Sequence, residues 1–179
     1  MQAELAHLVF RTRRYQEMVD WYVSFFGAET QHSDPTLTFL TYDDEHHRFA
    51  FANLDAMGTP KPESAERDRV GLDHAAFTLP DVGGLFEQYA RQKERGVTPY
   101  WCVHHGLTLS MYYRDPDGNG VELQVDRFAT KAEATAYIRS EQFRDNPLGK
   151  KFDPDLLLAR YRDGASPEAL LDPEKLEAS

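Results

Sequence analysis

Apolar positions along the chain switch between two spacings, and they do so twice. Around His7-Leu8-Val9-Phe10-Arg11 the spacing is that of a strand. Successive strand side chains point to opposite faces, so His7, Val9 and Arg11 share one face and Phe10 takes the other. The run Asp73-His74-Ala75-Ala76-Phe77-Thr78-Leu79 repeats the setting, with His74, Ala76 and Thr78 on one face and Phe77 opposite. In both runs the histidine stands three residues before the phenylalanine. The spacing then changes to three and four. Met18, Trp21, Tyr22 and Phe25 lead up to Gly27, and Leu85, Phe86 and Tyr89 lead up to Gly96, which predicts a helix after each strand. Trp21, Phe25 and Phe26 read as that first helix's packing face. Each helix is followed by strand-like stretches, near 28–33, 36–42 and 47–53 in the first half and near 97–103, 107–113 and 120–125 in the second. The expected fold is α+β: paired βαβββ modules at 4–54 and 70–126 within a single domain spanning 1–179.

Turn residues punctuate this pattern. Gly58, Pro60 and Pro62 among charged residues mark Asp55 to Arg69 as an exposed connection between the copies. Asp115-Pro116-Asp117-Gly118-Asn119-Gly120 separates two strand runs and reads as a hairpin-type loop, so turn formation accounts for Asp115 and Asp117 better than catalysis does. Residues 127–179 form a C-terminal helical extension. Lys131 to Phe143 and Pro154 to Arg162 are expected as helices, with Phe152, Leu156, Leu157 and Tyr161 as packing anchors. The charged residues from Ser166 onward are expected to fray.

Composition narrows the function. A formal net charge of −10 over 179 residues disfavours nucleic acid, whose phosphates need clustered Lys and Arg, and an anionic membrane surface as well. No apolar run approaches the length of a membrane span, and the N-terminus lacks the charged and apolar regions of a signal peptide. Cys102 stands alone, so a reducing cytoplasm is the expected setting and the thiol reads as a small buried hydrophobe.

The repeated histidines carry the candidate chemistry. His7 and His74, in matching strand settings, together with Glu122 on a third strand-like run, provide two imidazoles and a carboxylate. That set fills one face of an octahedral ion and leaves the other positions open, the ligand pattern of non-haem Fe(II) oxygenases. His104 and His46 read as out-of-face neighbours of His105 and His47, and His32 is expected in a turn with nothing convergent around it.

The stretch from Val103 to Glu122 is the most specific in the chain. It closely resembles the signature of the type I extradiol ring-cleavage dioxygenases, with His105, Met111, Tyr112, Asp115, Pro116, Gly118 and Glu122 at the matching spacings. A second run, Asp44-Glu45-His46-His47-Arg48-Phe49-Ala50-Phe51, resembles the segment that carries that family's acid–base histidine, and His47 is the match. These enzymes belong to the vicinal oxygen chelate superfamily, in which paired βαβββ modules form an open barrel. The resemblance covers both modules, and the chain looks like a small single-domain member.

The resemblance implies His7, His74 and Glu122 as metal ligands for Fe(II), with Mn(II) the alternative ion. It implies His47 as the group that takes a catechol proton and returns it, a role suited to an imidazole. His105 and Tyr112 would hydrogen-bond oxygens of the reacting species. The implied reaction is meta cleavage of a catecholic substrate by O2 to a semialdehyde-type product. Three rivals share the fold. A Mn(II)-dependent thiol transferase resembling the fosfomycin-resistance proteins needs no groups like His47, His105 and Tyr112. Glyoxalase-type isomerases bring a second glutamate, which the strand around Phe49 to Asn53 lacks. Drug-sequestering proteins lack metal ligands. Edge strands in this architecture are often covered by another module, so a homo-oligomer is the expected assembly.

Overall fold

The computed structural model describes residues 7–45, 47–59, 73–146 and 148–176. The expectations placed on His46 and on residues 60–69 of the connection fall outside the described residues. The chain divides into two compact units, Met1–Gly71 with Asp115–Asn119, and Leu72–Arg114 with Gly120–Ser179.

The first unit runs β1 (Leu8–Thr12), α1 (Tyr15–Phe26), β2 (Glu29–Ser33), β3 (Leu37–Thr41) and β4 (Phe49–Asn53). Its sheet has the order β1-β4-β3-β2, with β1 parallel to β4 and the other pairs antiparallel. Phe10 lies 5.1 Å from the Tyr22 ring and 5.4 Å from Phe51, so the face opposite His7 and Val9 is the packed one, as alternation requires. Met18, Tyr22 and Phe25 of α1 are buried, and Trp21 stacks on Phe25 at 4.3 Å. α1 stops at Gly27, whose φ of 64° is the left-handed cap that favours glycine. In the turn Asp115–Asn119, the Asp115 carboxylate accepts from the backbone N–H groups of Asp117 and Asn119 at 3.0 and 2.8 Å, and from the Tyr22 hydroxyl at 3.2 Å. Asp115 is thus a turn residue, with its carboxyl held above the usual range by burial.

The second unit repeats the plan with β5 (His74–Thr78), α2 (Val82–Glu94), β6 (Trp101–His104), β7 (Thr108–Arg114) and β8 (Gly120–Asp126). The extension then adds α3 (Lys131–Ile138), α4 (Glu141–Asp145), β9 (Lys150–Lys151), α5 (Pro154–Arg162) and α6 (Pro167–Leu170). The sheet order is β5-β8-β7-β6-β9, again with the first and last strands of the βαβββ plan parallel. Asp81 caps α2 by accepting from the Gly84 N–H at 2.8 Å, and Leu85, Phe86 and Tyr89 are its buried stripe.

Several expectations are corrected. The helix expected over 131–143 is two helices, because the Ser140 hydroxyl donates to the Tyr137 carbonyl at 2.6 Å and accepts from the Phe143 N–H at 3.3 Å, ending one helix and capping the next. From Ser166 through Leu176 the tail is folded rather than frayed, and residues 177–179 lie outside the described residues. Leu170 is fully buried, and a short 3-10 turn, Pro173–Lys175, follows α6. Leu157 and Leu158 are the buried leucines of α5, whereas Leu156 is half exposed. His32 lies on β2 rather than in a turn, with Nε2 3.0 Å from Asp34.

Candidate active site

Pairing across the second sheet brings four of the expected residues together. On β8, Glu122, Gln124 and Asp126 alternate with the buried Val121, Leu123 and Val125. In the register, Tyr112 stands directly opposite Glu122 on β7, Trp101 opposite Tyr112 on β6, and Ala76 opposite Glu122 on β5. His74 opens β5 two residues before Ala76, which puts it on the same face, diagonal to Glu122. Its Nε2 lies 3.0 Å from Glu122 Oε2. The glutamate is buried and the histidine half-buried.

Two further residues set this pair. Asp73 Oδ2 lies 2.8 Å from His74 Nδ1, and the contact holds the Asp73 carboxyl below its ordinary range. With Nδ1–H donating there, Nε2 is the ring nitrogen turned toward Glu122 and the one left to meet a metal, the arrangement that fixes the orientation of a metal-binding imidazole. Gly120, opposite His74, has no room for a side chain: a Cβ would lie 2.5 Å from the Asp73 carbonyl oxygen and 2.7 Å from His74 Cβ.

The second pair sits beside the first. His105 Nε2 is 2.9 Å from the Tyr112 hydroxyl. The Leu148 backbone carbonyl accepts from the His105 ring, which leaves Nε2 to accept from the phenol. Burial is the main reason that the His105 pKa is lowered, so the ring is neutral at physiological pH. Burial first, then the Glu122 charge, pushes the Tyr112 phenol up, so it stays protonated and able to donate. The Tyr112 ring lies edge-on to His74 at 5.2 Å and stacked on Trp101 at 4.8 Å. His105, Tyr112, Glu122 and Gln124 all line a cavity of about 400 Å³ in this unit, a size suited to a small organic ligand.

His7 and His47 belong to the first unit. β1 begins at Leu8 and β4 at Phe49, so both histidines lie just before a strand rather than within one. Their rings stack at 4.4 Å, and His47 also stacks on Phe39 at 4.7 Å. His104 is structural. It is buried, its Nδ1 accepts from the Gly106 N–H and its Nε2–H donates to the Leu171 carbonyl, both at 2.9 Å. Burial pushes the Cys102 thiol up to about 12, so it carries no thiolate chemistry.

The donors fit a divalent ion at the level of a pair. An imidazole Nε2 and a carboxylate oxygen 3.0 Å apart match the spacing of neighbouring donors about an ion with metal–ligand distances of about 2.1 Å. Among the described residues no group of three or more His, Cys, Asp or Glu that could hold a metal ion is found.

Sequence reasoning missed Asp73, Gly120 and Trp101. Their only signals were adjacency to His74 and a register that strand pairing alone reveals. It also left the place of α3 open, and Lys131, Ala134, Thr135 and Ile138 of that helix line the same cavity.

A βαβββ pair with an imidazole, a carboxylate and a tyrosine–histidine couple on one sheet face is the plan of a known superfamily. Residues 4–123 match the Glyoxalase/Bleomycin resistance protein/Dioxygenase superfamily, and the chain belongs to it. Within it the chain falls among the extradiol ring-cleavage dioxygenases, which are oxidoreductases. It is 42% identical to Biphenyl-2,3-diol 1,2-dioxygenase 3 of Rhodococcus globerulus over 167 residues, 93% of this chain and 86% of that one. Biphenyl-2,3-diol 1,2-dioxygenase 2 of the same organism is 40% identical over 86% of this chain and 79% of its own length. Among solved structures, a lactoylglutathione lyase from Agrobacterium tumefaciens superposes with a TM-score of 0.54 at 18% identity, over 69% of this chain and 94% of that one, a likeness of fold. No helix among the described residues is long and apolar enough to cross a membrane.

Proposed function

We propose that the chain opens a catecholic ring beside its two hydroxyls, with His7, His74 and Glu122 holding Fe(II), or Mn(II) in its place. His47 is the acid–base group, and His105 with Tyr112 binds substrate oxygen. The observation that carries this reading is the placement of the His74–Glu122 pair beside the neutral His105–Tyr112 couple, all on one sheet face. The 42% identity to a biphenyl-diol dioxygenase supports the substrate class. His7 enters through its repeated sequence setting.

The reaction balances without a further reductant. The bond between a hydroxylated ring carbon and its neighbour outside the diol breaks. One atom of O2 enters a carboxylate at the first carbon while the other enters the carbonyl of the second, an aldehyde where that carbon bears hydrogen and a ketone where it bears an aryl group. The metal would supply open coordination positions where diol and O2 meet. The protein's own residues do the rest. Tyr112, whose phenol stays protonated, donates its one proton to a substrate oxygen in place of His105 Nε2, an exchange of hydrogen-bond partners without net charge. His47 accepts the proton that a diol loses on binding. A thiol transferase would have no use for the His105–Tyr112 couple, and no observation favours it. A homo-oligomer and a reducing cytoplasmic setting belong to the same proposal. The fully exposed β2 edge supports the first, and Cys102, a free thiol, fits the second.

The test is O2 uptake by protein loaded anaerobically with Fe(II), on a panel of catechols, with visible spectra. The expected result is one O2 consumed per diol with a yellow ring-opened product. Iron firmly bound without O2 uptake on any diol would overturn the reading.

A further inference from the structure

The cavity that holds His105, Tyr112 and Glu122 is closed on another side by the C-terminal extension. Its lining includes Lys131, Ala134, Thr135 and Ile138. These positions follow the i, i+3, i+4, i+7 rule, so they form one stripe of α3. Lys131 is ion-paired to Asp126 at one end of the stripe, leaving Ala134, the Thr135 methyl and Ile138 as its apolar part. Leu107, from the β6–β7 turn, adds to the same apolar side. The cavity therefore has a polar strand wall and an apolar helix wall.

α3 is fixed in that position. Thr130 and Glu133 form a reciprocal cap at its start, with the Glu133 N–H donating to Thr130 Oγ1 at 3.2 Å and the Thr130 N–H donating to Glu133 Oε2 at 3.0 Å. On the far face, Tyr137 packs on Phe128 at 5.5 Å and against Gly106, which leaves no room for a Cβ at that glycine. Arg127 donates to the Gly106 carbonyl at 3.0 Å. No residue of α3 is buried, so this helix contributes little to the core, and burial does not explain an apolar stripe on the cavity side.

We propose that the Ala134–Ile138 stripe is the specificity wall of the site, receiving the apolar ring substituent of a diol whose two oxygens face Tyr112, His105 and Glu122. This deepens the dioxygenase reading and rests on it. A one-ring catechol reaches only the polar wall. A diol carrying an aryl group next to its hydroxyls reaches the helix, and the small side chain at Ala134 makes the room.

The experiment compares catechol with 2,3-dihydroxybiphenyl on the Fe(II)-loaded full chain, for wild type, Ala134→Phe and Ile138→Ala. Ala136→Phe, on the opposite face of α3, controls for helix integrity. Ala134→Phe is expected to lower kcat/KM for the two-ring diol by about 100-fold while catechol changes by less than about 3-fold, the range a reshaped apolar pocket commands. The loss should appear in KM and in calorimetric affinity for the diol. Ile138→Ala should shift the ratio in favour of diols bulkier than 2,3-dihydroxybiphenyl, and Ala136→Phe should leave the ratio unchanged. An unaltered ratio in Ala134→Phe with an active wild type would overturn the wall and leave the dioxygenase reading standing. A wild type that opens neither diol would overturn the dioxygenase reading and the wall with it.

Discussion

At position 120 the backbone of β8 passes so close to β5 that a methyl group would press on both the Asp73 carbonyl and His74. Gly120→Ala must therefore push the imidazole away from Glu122, to which it now points at 3.0 Å. We expect metal affinity to fall by about 10–100-fold, the scale seen when groups that orient a ligand are altered. Circular dichroism should be unchanged, and Mn(II) titration by equilibrium dialysis reads the affinity. Wild-type affinity would show that His74 need not hold its present orientation. Tyr112→Phe removes the proton that His105 Nε2 accepts at 2.9 Å while leaving the ring on Trp101. Metal should stay bound and kcat should fall by about 10²-fold or more, as for other positioned donors. An unchanged kcat would make the tyrosine a packing residue. His74 and Glu122 were legible in the sequence from a repeated setting and strand-like spacing, and His105 and Tyr112 from the resemblance of the Val103–Glu122 stretch to a family signature. Asp73 and Gly120 were not, because their importance arises where two strands distant in the chain lie side by side.

The corner between β6 and β7 is held by the extension. His104, buried at its base, donates from Nε2 to the Leu171 carbonyl and accepts at Nδ1 from the Gly106 N–H. Both bonds need a neutral ring. Desolvation is the main cause that lowers its pKa from 6.5 to about 4 in the folded protein. An unfolded chain therefore binds a proton between those two values that the native state refuses. The sign follows: the contribution is complete above pH 6.5, is lost as pH falls, and is gone near pH 4. A shift of that size corresponds to about 3 kcal/mol at its limit. Acid should thus loosen the Leu171 contact first. Hydrogen exchange, corrected for intrinsic rates, should show Ser166–Leu171 losing protection between pH 7.5 and pH 5, before α2 does. Simultaneous loss in both would contradict the assignment. At this scale the sequence was partly legible. Both βαβββ runs stand close to where their periodicities put them, with β6 starting at Trp101 instead of near 97, because amphipathic stripes and strand alternation are written locally. The break at Ser140 and the docking of Leu170 depended on one hydroxyl and one leucine among charged residues, which no periodic pattern discloses.

The whole chain repeats one plan twice and then departs from it. The repeat supplies a histidine from each unit, whereas only the second unit carries the glutamate, the His105–Tyr112 couple and the extension. If metal is held by His7, His74 and Glu122, binding stabilises the folded chain by the linkage law, about 2.7 kcal/mol at a hundred times Kd. For a chain of 179 residues this raises Tm by about 5–10 °C. Wild type should show that rise with Mn(II) under air and with Fe(II) under nitrogen. Glu122→Gln and His74→Ala should show little of it. His7→Ala decides the most, because His7 is the one proposed ligand outside the second unit, and its ring has a competing role in its stack on His47 at 4.4 Å. A lost Tm rise in His7→Ala, with the metal-free Tm unchanged, assigns it to the metal. A full rise with a lowered metal-free Tm assigns it to the stack, and the two outcomes separate because ligation acts only when metal is present whereas stacking acts always.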